Sequence, residues 1–339
     1  MRNLIAIAAM ACGIACPFSA QAGPALDAVR ARSELVCGTR GDTMGFARAA
    51  QDGRVTGFEA DICRAVAVAI LGEQARVKFT PLAADRRLPA VAAREVDLLV
   101  SGSTLTFARD LDKDVAFPVV YYFDTQGIMV PRQLNKSRAT DLGGASICFT
   151  SGTTTERNLA AFFERNKLTY KAVPSRTVEE RRADFFAGKC NALSADMSAL
   201  YATRAAYAPN PNDYVVLRDQ LSQEPLGIAV RTGDQEFSDI VRWAFFALVY
   251  AEENGVGMRN AAELRAGGNA RVRFLLGGVP GVGKPLGLED DWAFNAIKTV
   301  GNYGEIFDRN LGVATPLRVF RGLNSLWSQG GMLYSPPFH

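Results

Sequence analysis

The stretch ASICFTSGTTTERNLAAFFERN, residues 145–166, decides the fold class. Ala145–Thr150 is a short apolar run of strand length, Ser151 and Gly152 turn the chain, and Thr153–Asn166 has helical spacing. Outward from it the alternation continues: strand over Lys171–Pro174, helix over Thr177–Gly188, strand over Ala192–Ala195 and helix over Met197–Tyr207. The same grammar has already run once upstream. Glu34–Gly38 reads as a strand, Phe58–Leu71 as a helix stopped by Gly72, Arg76–Pro81 as a strand, Asp85–Arg94 as a helix, Val96–Ser101 as a strand and Ala116–Pro131 as one long extended stretch. Downstream lie extended segments at Tyr214–Leu217 and Pro225–Arg231, then helices over Gln235–Glu253 and Asp290–Asn310. Strands alternating with helices in two units of similar size specify an α/β chain of the doubly wound type.

In open α/β sheets ligands bind outside the carboxyl ends of the strands, which directs attention to residues 38–46, 101–109, 150–155 and 194–196 and to a cleft between the two units. Ser101, Gly102, Ser103 and Thr104 follow an apolar strand and lead to Arg109, whose planar guanidinium matches a carboxylate bidentately. Gly152, Thr153 and Thr154 open a helix whose first-turn N–H groups and dipole favour a negative group. Asp196 ends a strand in the same unit, placed either to cap the next helix or to receive a cation. Polar loops and helix caps explain each segment taken singly. Arg109 from one unit facing an anion-seeking helix start and a carboxylate from the other has a zwitterion as its common complement.

Composition removes most other chemistries. The 339-residue chain contains a single histidine, the terminal His339, so histidine-based triads and zinc sites are excluded from its body. No acidic cluster has metal-ligand spacing, and neither a metal nor a cofactor is expected. A net charge of +3 from 38 basic and 35 acidic residues gives no reason to expect a nucleic-acid partner. The start, Arg2 followed by an apolar run to Pro17 and the triplet Ala20-Gln21-Ala22, reads as a secretory signal peptide over residues 1–22, with a lipoprotein signal ending at Cys16 as the weaker alternative. Export places Cys37, Cys63, Cys148 and Cys190 in an oxidising compartment. Three pairings are open; local pairing, Cys37–Cys63 and Cys148–Cys190, keeps each bridge within one unit and is the expectation. Gly278–Pro285 imitates a phosphate-binding loop, but Pro285 stands where a magnesium-binding hydroxyl is required, so nucleotide binding is not expected.

Nearly all of the exported chain resembles the periplasmic solute-binding proteins of polar amino-acid ABC transporters (solute-binding family 3), most closely the general L-amino-acid-binding branch. The resemblance is carried by Gly57–Ala67, Ser151–Glu156, Pro225–Arg231, Val300–Phe307 and the C-terminal Tyr334–Phe338. It implies a type II periplasmic-binding-protein fold of two lobes joined by two crossover strands: residues 33–127 plus 229–339 as lobe one, 128–228 as lobe two, with hinges at Tyr122–Met129 and Glu224–Ile228. It also implies that Arg109 holds the α-carboxylate of a small amino acid with Thr154 and nearby N–H groups, and that Asp196 holds the α-ammonium with Thr104 and the carbonyl around Gly102. The implied protein is a periplasmic, non-enzymatic monomer that delivers its ligand to an inner-membrane permease. Two departures stop the ligand preference of the branch from carrying over: the loop Arg40–Phe46 does not match, and Leu105 stands where members often carry Trp. Arg40 or Asp42 there could select a charged ligand side chain. The rival readings are an enzyme acting on a small carboxylate, dehydratase-like, with Glu156, Asp42 or Glu224 as acid or base, and a ligand-binding component of a chemoreceptor or other sensor.

Overall fold

The computed structural model describes residues 23–338; the expected signal peptide and His339 lie outside them, as does the side chain of Asp42. Two five-stranded sheets organise the chain. The first runs Arg76–Pro81, Glu34–Thr39, Leu98–Thr104, Glu224–Arg231, Val115–Asp124, and the second runs Lys171–Ser175, Ser146–Thr150, Ala192–Asp196, Gln126–Pro131, Tyr214–Val216. In each, three parallel strands are followed by two that pair antiparallel. The two-lobe, type II α/β architecture is therefore the one expected, with sheets that are mixed instead of uniformly parallel.

The stretch expected as one strand over Ala116–Pro131 is two strands, one in each sheet, and the chain changes sheets at Thr125, whose N–H donates to Asp124 Oδ1 at 2.8 Å. The return passes through Ser222 and Gln223 into Glu224–Arg231, which pairs along its length with Val115–Asp124 in the first sheet. The two crossings lie side by side, since Glu224 is opposite Asp124 in that register.

Period-2 alternation fills both faces of the second sheet. Ile128 and Val130 join Ile147, Phe149, Leu159 and Phe163 on one face, while Met129 joins Phe185, Leu193 and Leu200 on the other. The first sheet carries the larger core. Phe58, on the helix Phe58–Leu71, meets Tyr303 edge-on at 5.3 Å, and Tyr122 and Phe307 close the same aromatic cluster. The expected helix Asp290–Asn310 is two, Trp292–Val300 and Tyr303–Asn310. Gly301 takes φ 84°, and Asn302 caps the second helix in a reciprocal box with Glu305, so the break is written in local chemistry. The chain end folds back: the Phe338 ring lies 5.0 Å from those of both Trp243 and Tyr250.

Both expected disulfides are present. Cys37–Cys63 joins the strand Glu34–Thr39 to the helix Phe58–Leu71, and Cys148–Cys190 closes a loop within the second unit. Cross-links over such loops stabilise by roughly 3–4 kcal/mol in the chain-entropy account.

Candidate functional site

A cavity of about 700 Å³ opens between the two sheets. It is lined from the first unit by Arg87, Gly102, Thr104 and Arg109, and from the second by Gly152, Thr153, Thr154, Arg181 and Asp196. The strand-end rule thus brings together seven of the eight residues proposed from sequence. Ser101 is the exception: it is fully buried, its hydroxyl 3.2 Å from that of Ser103, and it does not line the cavity.

Two glycines have their N–H groups committed within the chain. The Gly102 N–H donates to Tyr121 Oη at 2.8 Å, which leaves the expected role of the carbonyl there untouched; a Cβ there would stand 2.4 Å from the Arg40 guanidinium carbon at φ 62°, so this position admits Arg40. Arg40 in turn lines the cavity and is paired with Glu59, its Nε and Nη2 at 3.0 and 2.8 Å from Oε1. The Gly152 N–H donates to Glu156 Oε2 at 2.8 Å. That bond ties up Glu156, one of the acid–base candidates.

Arg109 lies on the short helix Phe107–Asp110, held by Thr106, whose Oγ1 accepts from the Arg109 N–H at 3.3 Å. Its Nη1 donates to the Thr104 carbonyl at 2.9 Å, and no carboxylate among the described residues pairs with it. Burial first, and then the nearby Arg157, lower its pKa, with Glu224 and Asp196 opposing. A guanidinium so placed gains from an incoming carboxylate. Across the cavity the helix Thr154–Arg165 starts without a side-chain cap, because Thr153 Oγ1 donates backward to the Thr150 carbonyl at 2.7 Å.

Asp196 precedes the helix Met197–Tyr207 but does not cap it, and no donor among the described residues reaches its carboxylate. Burial raises its pKa to about 7, helped by Asp124 and Glu224 and opposed by Arg40 and Arg181. Asp124, at the crossing, is raised to about 6, again by burial first. A carboxylate held at such a disadvantage is relieved by a cation.

Glu224 was considered from sequence only as a hinge residue and an acid–base candidate. It is a clasp. Its Oε2 accepts from Thr104 Oγ1 at 2.5 Å and from Thr154 Oγ1 at 3.2 Å, and its Oε1 accepts from Asn158 Nδ2 and Ser222 Oγ, both at 2.6 Å. One buried side chain thus ties a strand end of the first sheet to a helix start of the second. Nothing in the local sequence announces this, since the partners lie 120 and 70 residues away. The glycine-rich loop at 278–285 is also self-contained: Gly281 and Gly283 donate to the Asp290 carboxylate at 2.8 and 2.9 Å, filling the place a phosphate would take.

The family model for bacterial extracellular solute-binding proteins, family 3, matches residues 35–253. The chain is 44% identical over 335 residues to the glutamate/glutamine/aspartate/asparagine-binding protein BztA of Rhodobacter capsulatus, covering 98% of this chain and 97% of that protein. It is 42% identical to the general L-amino acid-binding periplasmic protein AapJ of Rhizobium johnstonii, covering 99% of each. Among solved structures, a periplasmic binding protein of an ABC transporter from Brucella ovis with glutathione bound superposes with a TM-score of 0.90 at 42% identity, over 93% of this chain and 99% of that one.

Proposed function

The chain belongs to the bacterial extracellular solute-binding proteins of family 3, and from that premise we propose that it captures a small α-amino acid between its two lobes in the periplasm and hands it to an inner-membrane ABC permease. The observation that carries this reading is the charge arrangement of the cavity: Arg109 without a carboxylate partner on one wall, Asp196 without a donor on the other. An α-carboxylate on Arg109 and the uncapped helix start, and an α-ammonium on Asp196, would complete both. Thr104 and Thr154 border the same space, joined through Glu224.

In this reading residues 33–124 with 224–339 form one jaw and 126–221 the other, bending at the paired crossings beside Asp124 and Glu224; the bounds 33–127, 229–339 and 128–228 expected from the sequence move by a few residues because Gln126 and Gly127 pair in the second sheet and Glu224–Ile228 in the first. Residues 1–22 direct export and are removed, and the mature protein acts as a monomer. Binding without bond breaking is supported by the state of the acid–base candidates: Glu156 is bonded to backbone, and Glu224 accepts from four donors. The ligands named for the relatives, amino acids and glutathione, carry the same zwitterionic head.

Native mass spectrometry of gently purified protein, followed by a thermal-shift panel of amino acids after unfolding and refolding to remove retained ligand, tests the proposal. A ligand present at 100 times its Kd stabilises by about 2.7 kcal/mol, a readily measured rise in Tm. Arg109→Ala should abolish that rise. A panel without any shift, together with an unchanged Arg109→Ala protein, overturns the reading.

A further inference from the structure

Two further arginines that line the cavity take no part in the zwitterion site. Arg181 lines the cavity and is only 4% exposed, yet its Nε has no hydrogen-bond partner among the described residues and its guanidinium forms no ion pair there. Arg87 lines the same cavity, and its Nε is likewise buried without a partner. Burial is the first cause lowering both, each to about 10; for Arg181 the opposing influence of Asp196 is next, and for Arg87 the repulsion of Arg40. Burying an unpaired cation is among the more expensive things a fold can do, and it persists where something outside the chain relieves it.

Their placement is as informative as their isolation. Arg87 begins the helix Arg87–Ala92, which packs on the first sheet, and Arg181 belongs to the helix Val178–Phe186, which packs on the second. Like charges therefore face one another across the cleft, one from each lobe, and closure onto an empty cavity is opposed by their repulsion. Asp196 acts on all three arginines and Arg87 acts on Arg181, whereas neither Arg87 nor Arg181 is among the charges acting on Arg109. The cavity thus holds Arg109, the Asp196 carboxylate and a separate pair of cations, Arg87 and Arg181.

We propose that Arg87 and Arg181 form a second anion subsite that grips a distal carboxylate of the ligand from both lobes. This rests on the amino-acid reading above and narrows it: the ligand is a dicarboxylic amino acid, or a peptide that presents an α-amino-acid head and a further carboxylate. The anion cancels the repulsion between the jaws, so the same contact selects the ligand and promotes closure. Neutral amino acids satisfy Arg109 and Asp196 but leave the two arginines opposed.

Titration calorimetry on refolded, ligand-free protein with L-glutamate, L-aspartate, L-glutamine, L-alanine and glutathione tests this. One acidic ligand should bind about 100-fold more tightly than L-glutamine, because the amide leaves a buried guanidinium uncompensated. The rank of L-aspartate, L-glutamate and glutathione reports how far the second carboxylate stands from the head. Arg181→Gln, and separately Arg87→Gln, should reduce that preference to below about 5-fold. Circular dichroism melts report whether each variant folds, and the wild-type ratio tests the proposal without either. Equal binding of L-glutamate, L-aspartate, glutathione and L-glutamine by the wild type overturns the subsite while leaving the amino-acid reading intact. Binding of none of the five, with Arg109→Ala indistinguishable from wild type, overturns that reading instead.

Discussion

Glu224 and Asp196 are both carboxylates at strand ends, both line one cavity, and their surroundings are opposite. Glu224 receives four hydrogen bonds drawn from both lobes and the returning crossover. Asp196 receives none among the described residues and is pushed toward the protonated form by burial and by its acidic neighbours Asp124 and Glu224. The contrast separates two uses of one functional group. A carboxylate whose lone pairs are filled by the chain holds the structure together; one left unfilled in the same low-dielectric setting is held for a ligand.

The comparison can be broken most directly by exchanging each acid for its amide. Asp196→Asn should weaken amino-acid binding by about 100-fold, measured by calorimetry, because the ammonium loses its charged acceptor. Retained affinity would remove Asp196 from the site. Glu224→Gln should lower the unfolding free energy by about 1–3 kcal/mol in urea, since an amide nitrogen cannot accept from the clasp donors. A third test uses pH. Burial raises the Asp196 pKa to about 7 in the ligand-free protein, so between pH 7 and pH 6 the affinity for an ammonium-bearing ligand should fall by about 5-fold, and that loss should be absent in Asp196→Asn. The smallest effect concerns the empty protein. Because the folded pKa of Asp196 is raised, the unfolded chain gives up this proton first, and stability is lost as pH rises from about 4 toward 7. Ligand-free Asp196→Asn should therefore melt roughly 2–4 °C above wild type at pH 8 and at the same temperature at pH 4. A lower melting temperature at pH 8 would show that the carboxylate is already satisfied.

Legibility in the sequence followed how local the cause was. The helices Phe58–Leu71, Met197–Tyr207 and Gln235–Glu253 have the bounds that their spacing implies, because periodicity and end signals act within a few residues. The sheet change at Thr125 was invisible, since Ala116–Pro131 is apolar and extended on both sides of it and only pairing partners distinguish the halves. The break at Gly301 is written in the chain, in a glycine followed by Asn302 and Glu305, but a longer helical pattern runs through it and masks it. Arg109, Thr154 and Asp196 could be found because strand ends mark where ligands sit. Arg181 left a fainter signal, an arginine four residues before Phe185 on the buried face of its helix.

By itself the sequence determined the α/β class, the two units and the strand ends at which charge would gather. These follow from periodicity, turn chemistry and residue counts, which act over short distances. Only the tertiary structure decided which polar groups were already spent: Gly102 on Tyr121, Gly152 on Glu156, Arg40 on Glu59 and Glu224 on Thr104 and Thr154. It likewise decided which were left over, Arg109, Asp196, Arg87 and Arg181. The physical reason is that a hydrogen bond or ion pair depends on distance in space, and folding brings together residues whose separation along the chain carries no trace of their meeting.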